Sequence, residues 1–187
     1  MRFPLWIGSA LLLVLSCSFR EESQPTRSSS FFDVPEFIDG EIARLQKRHI
    51  GLRKFLQLNG KADTLDVPAP DLETELDAFL KADINRPALG DAYAVDSLWA
   101  KDYLKKVIYR ARKKELTVRQ LSIHFQPDGM VQEIRIRTLL ENAISRQELR
   151  GWYKSGEAFQ IRVEQKLLGK KEDLEILGLF RTNYENP

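Results

Sequence analysis

One cysteine, two histidines and two methionines in 187 residues leave little material for metal or redox chemistry. A lone cysteine, Cys17, allows no disulfide within the chain and no cysteine-rich zinc site. His49 and His124 lie far apart and in no H-E-x-x-H pattern, so each reads as a solvated side chain rather than a ligand. No G-x-S-x-G offers a serine nucleophile, and no G-x-x-x-x-G-K-[ST] offers a phosphate cradle. Carboxylates are plentiful, but no aromatic sugar platform accompanies them as glycoside cleavage would require. Charge of one sign is also missing. Lysine and arginine number 29 against 27 acids, a formal net charge of +2, which lacks the basic footprint of a nucleic-acid-binding protein. These absences favour a non-enzymatic protein with no metal and no bound cofactor.

What is present is concentrated at the start. Met1-Arg2-Phe3-Pro4 carries one positive charge, and Leu5–Leu15 is an apolar stretch of 11 residues. That length suits the core of a signal peptide and is short of the ~20 residues a membrane-spanning helix needs. Val14-Leu15-Ser16-Cys17 follows, and the segment resembles the lipobox of bacterial lipoprotein signal peptides. Leu15 departs from that pattern, where a smaller residue is usual. The resemblance implies that Met1–Ser16 is removed, that the Cys17 thiol carries a diacylglycerol, and that the new amine of Cys17 is acylated. Several acyl chains hold a protein on a bilayer where one does not, at ~0.8 kcal/mol per buried CH2. An ordinary secretory signal would not explain why the only cysteine falls at the cut. Ser18, in place of an aspartate, implies by the same resemblance the outer membrane, on its periplasmic face or at the cell surface. Glu21-Glu22 is loosely similar to the acidic patch of surface-exposed Bacteroidota-type lipoproteins, although a polar linker is the plainer reading.

Residues 18–30 are serine-rich and nearly free of apolar side chains. They read as a tether after the lipidated cysteine, with an r.m.s. reach of roughly 20 Å. The expected domain spans 31–187. Asp33 followed by Pro35 and Glu36 signals a helix start, and Val34, Ile38, Ile42 and Leu45 make one apolar stripe to about Arg48. Residues 52–58 and 61–67 flank Asn59-Gly60, the strongest short hairpin signal. A second helix is expected from about Asp71 to Asn85-Arg86, with Leu72, Leu76, Phe79 and Leu80 on one face and Pro87 as its stop.

Beyond Tyr93 the period changes to two. Residues 105–112, 117–125, 131–138 and 159–167 alternate apolar and polar, whereas 143–153 is less regular and 174–181 is apolar on both faces. The expected fold is α+β: two N-terminal helices with a β-hairpin between them, packed on a curved antiparallel meander of about five to seven strands.

Two groups could form a surface for a partner. Lys105, Lys106, Arg110, Arg112, Lys113 and Lys114 form a basic stretch suited to an anionic membrane or glycan. The plainer reading is a solvated face, with Arg135, Arg137 and Arg162 interleaved with Glu133, Glu164 and Glu175 as cross-strand pairs. Tyr93, Trp99, Tyr103, Trp152 and Tyr153 would plug the sheet ends or line a hydrophobic mouth. Phe31-Phe32-Asp33 and Leu58-Asn59-Gly60-Lys61 are loosely similar to motifs in an uncharacterised group of small Bacteroidota-type lipoproteins, a resemblance that brings no activity with it. The expectation is a membrane-anchored binding or assembly module with an envelope-protein partner. The alternative is a periplasmic half-barrel carrier of a lipid or other hydrophobic ligand.

Overall fold

Helix α1 (Val34–Lys47) begins where the cap signal stands: the Asp33 carboxylate accepts from the Glu36 N–H at 3.0 Å, and Pro35 occupies the first turn. The computed structural model describes residues 31–86 and 89–182. Cys17, the expected signal segment and tether, and Pro87 lie outside the described residues. Val34, Ile38, Ile42 and Leu45 are all buried, so the i, i+4, i+8, i+11 stripe is the packing face.

Strands β1 (Gly51–Leu58) and β2 (Lys61–Val67) follow, joined by Asn59 at φ 49° and Gly60 at φ 83°, the pair of positive angles a two-residue hairpin turn demands. Helix α2 (Leu72–Leu80) is shorter than its sequence pattern implied. It stops at Leu80 because the next residues are held otherwise. Asp83 accepts from the Asn85 N–H, and the Asn85 side chain both donates to and accepts from the Phe31 backbone at 3.1 Å. Such local side-chain bonds compete with helix continuation.

Seven strands then run in succession: β3 (Tyr93–Ala100), β4 (Tyr103–Ala111), β5 (Val118–Phe125), β6 (Val131–Glu141), β7 (Ser145–Lys154), β8 (Ala158–Leu167) and β9 (Lys170–Arg181). Among the described residues all pair antiparallel in one open nine-stranded sheet of order β2-β1-β9-β8-β7-β6-β5-β4-β3. The expected five to seven strands is therefore a correction, and so is a hairpin packed on the meander. β1 and β2 belong to the sheet itself, because β1 pairs with β9 along its whole length, Gly51 opposite Arg181 through Leu58 opposite Leu174. That junction joins the first and last strands and leaves no local signature in the sequence. β7 covers most of the stretch 143–153, whose alternation is irregular for a different reason. Its inward positions are Gln147, Leu149, Gly151 and Tyr153, so a glycine and a glutamine blur the alternation.

One face of the sheet carries both helices. Across its centre run Ile123, Ile134, Tyr153 and Phe159, neighbours in successive strands and fully buried. Gly151, beside this row, leaves room for α2: a Cβ there would lie 3.2 Å from the Phe79 ring. Phe79, Phe37 and Phe180 each meet the Tyr153 ring edge-on, with centroids 5.9 to 6.4 Å apart.

Candidate functional site

The helices bury only part of the face they sit on. Toward the β1–β2, β6–β7 and β8–β9 turns the inward row stays apolar: Leu56, Ile176 and Ile161 stand side by side, then Leu174, Val163 and Leu149. All six are half-buried rather than buried, while Leu58 beside them is 52% exposed. The strands alternate here as they do under the helices, so the sequence pattern matches that of core. What distinguishes this half is only that α1 and α2 end short of it.

The opposite face is a lattice of ion pairs. Glu148 on β7 accepts from Arg137 on β6 at 2.8 Å and pairs with Arg150 at 2.8 Å, and these guanidiniums hold its carboxyl below the usual range. Arg135 pairs with Glu133, and Arg162 approaches Asp173 at 3.5 Å. An open pocket of about 260 Å3 lined by Arg146, Glu148, Glu164 and Lys171 lies on this lattice. A second, of about 410 Å3, lies between the residues after α2 and the β4–β5 turn, lined by Lys81, Asp83, Tyr93 and Glu115 among others. Both are open and carry charged side chains in their lining.

A buried polar cluster ties α1 to the β7–β8 turn. Glu41 Oε2 accepts from the Tyr153 hydroxyl at 2.7 Å, from Ser155 Oγ at 2.8 Å and from Arg44 Nη2 at 2.6 Å. Burial, with the Glu41 charge adding to it, pushes the Tyr153 hydroxyl well up, so it remains a donor. A serine and a carboxylate meet here without a histidine, and every group is engaged in holding helix to sheet. Among the described residues no group of three or more His, Cys, Asp or Glu side chains could hold a metal ion.

The candidates named from sequence separate in space. His49 follows the α1 C-cap at φ 48° and is exposed, whereas His124 lies on β5, opposite Lys106, on the face without helices. The structure thus keeps the two histidines apart. Lys105 and Lys106 lie within β4, and Arg110 pairs with Asp96 on β3. Arg112, Lys113 and Lys114 stand apart from these three, in the β4–β5 turn. Of the aromatics, Tyr93 and Tyr153 are core, with the Tyr93 hydroxyl donating to the Val118 carbonyl at 3.0 Å. Trp152 donates to Gln160 on the helix-free face, Tyr103 is half-buried, and Trp99 is 62% exposed at the sheet edge.

His124 gives a measurable signature. Burial lowers its pKa first, then Lys106, with Arg135 and Lys105 adding to the effect and Glu133 opposing it, and its Nε2 has no partner among the described residues. The folded protein therefore binds this proton less readily than the unfolded chain. Stability is full above the unfolded value of about 6.5 and falls as pH drops through the window beneath it. Urea melts at pH 7 and pH 5 check this: His124→Gln should lose less stability on acidification than the parent. Equal losses would mean His124 titrates alike in both states.

No protein-family model matches the chain, and a search of curated proteins finds no match to it either.

Proposed function

We propose that this protein is a bacterial envelope lipoprotein, held at the outer membrane through acylated Cys17, whose folded part is a non-enzymatic binding module. The half-buried apolar surface beyond the helices is the observation that carries the reading. An apolar sheet face that its own helices leave partly uncovered is a surface for another molecule. The anchor reading rests on the lipobox resemblance of Val14-Leu15-Ser16-Cys17.

Period two supplies the control for a test. Val163 faces the apolar side and its neighbour Arg162 the ion-pair lattice. A photoreactive amino acid at 163 should crosslink a discrete partner in cells, and one at 162 should not. Equal adducts from both positions, or none from 163, would remove the reading. The alternative, a carrier of a lipid or other hydrophobic ligand, is favoured by the same open face lying next to a helix cover. Organic extraction of the Cys17→Ser protein purified without detergent separates the two. A stoichiometric hydrophobe supports the carrier, and a clean extract supports the partner-binding module.

A further inference from the structure

Alternate hairpins of an antiparallel meander turn at the same end, and here one end differs from the other. The β8–β9 turn is Leu168-Gly169, with φ 46° and 84°, nearly the backbone of the Asn59-Gly60 turn. Asparagine and glycine suit those angles, and leucine does not. Leu168 nonetheless holds the strained position and exposes 75% of its surface. Its N–H donates to the Ile144 carbonyl of the β6–β7 turn at 3.1 Å, and Ile144 is 61% exposed. Leu140 and Leu167 beside them are 53% and 44% exposed, and Leu58 at the β1–β2 turn is 52% exposed. A side chain that breaks the local backbone preference in order to stand in water points to a contact outside the fold.

Charge supplies the identity of that contact. The four turns at this end (59–61, 112–117, 141–145 and 168–172) hold Lys61, Arg112, Lys113, Lys114, Lys170 and Lys171, six cations against three acids. The β4–β5 turn, which holds three of them, adjoins β6, where the Leu139 N–H donates to Thr117. The described chain also starts nearby, with Phe31 against Tyr93 and Tyr109. Tyr93 pairs with Ala111, immediately before the basic turn. The described chain thus begins beside the basic turn at this end. At the opposite end, the exposed apolar side chains are Leu98 and Trp99 at the β3–β4 turn and a separate Met130, and the turns there carry no comparable excess of cations: Lys101-Asp102, Asp128-Gly129 and Ser155-Gly156.

We propose that this end docks on an anionic lipid bilayer, with Leu168 and Ile144 entering the interface and the turn lysines and Arg112 lying against the headgroups. Apolar burial and attraction to anionic lipid add in such contacts, and the charge part is screened by salt. Docking would bring the half-covered stretch of the apolar face close to the membrane. The inference rests on the envelope reading above, but not on acylation of Cys17.

The test places an environment-sensitive fluorophore on Leu168→Cys or on Met130→Cys in the full chain, bound to phosphatidylglycerol-containing vesicles bearing nitroxide-labelled lipid. It is run in the acylated chain, where the introduced cysteine is the only free thiol, and in the Cys17→Ser chain. The label at 168 should shift to the blue and be quenched in the vesicle-bound fraction of both chains, and the label at 130 should remain in water. Quenching at 130, or at neither position, would overturn the proposal. Mass spectrometry of the Cys17 peptide reports the anchor separately, so failure of one reading is not failure of the other. Leu168→Asn fits the turn better than leucine. With a label on Ile144→Cys, it should cut quenching severalfold while the melting temperature holds or rises. Unchanged quenching would also overturn the proposal.

Discussion

Phe79→Ala should lower the unfolding free energy by about 3–5 kcal/mol, the usual result of removing a fully buried aromatic ring. Phe79 is 0% exposed and stands on α2 over Gly151, edge-on to Tyr153. Two of its neighbours cannot fill the vacancy by a simple rotation: Tyr153 is pinned through its hydroxyl to Glu41, and Gly151 has no side chain. In a domain of this size, that corresponds to a fall in melting temperature of roughly 6–20 °C. Urea denaturation with an unchanged m-value is the measurement. The outcome also bears on function. A loss under about 1 kcal/mol would mean that α2 is not fastened to the sheet and acts as a movable cover, which would strengthen the carrier reading.

Gly178→Ala is the second large effect, and it arises from crowding rather than a void. Gly178 on β9 lies opposite Phe159 on β8, and a Cβ at 178 would fall 2.3 Å from Phe159 Cε1 and 2.5 Å from its Cζ. Real atoms do not approach so closely, so the ring must move. Phe159 is fully buried and packs against Phe180 at 5.8 Å, which leaves the ring little room to retreat. Overpacking of this kind costs about 1–3 kcal/mol, here toward the upper end. A double-mutant cycle isolates the cause. In a Phe159→Leu background the added methyl should cost much less, since the smaller side chain vacates the space. Full additivity of the two substitutions would place the damage elsewhere.

Both substitutions touch glycines whose roles a linear reading misses. Nothing local in the sequence marks Gly151 and Gly178, yet they are the sites where aromatic rings crowd the strand backbone, Phe79 at 151 and Phe159 at 178. The caps and the tight hairpin were different. Asp33, Asp71 and Asn59-Gly60 act within three or four residues of themselves, and each does what its local chemistry dictates. The end of α2 is not local in the same way: Asn85 is recruited by Phe31, 54 residues earlier in the chain, and the helix stops at Leu80.

The residues alone were enough for an α+β chain of amphipathic helices and alternating strands, for the want of catalytic patterns, and for the lipobox-like start. These are properties of composition, of period and of short motifs, and none depends on what lies across the fold. The rest needed the folded molecule. Pairing of β1 with β9 made nine strands of one sheet, the reach of two helices decided which alternating leucines became core and which stayed half-open, and the antiparallel turns gathered Leu168, Ile144 and the basic loop at one end. Periodicity tells which way a side chain points, but burial depends on what stands opposite it, and that partner lies far away along the chain.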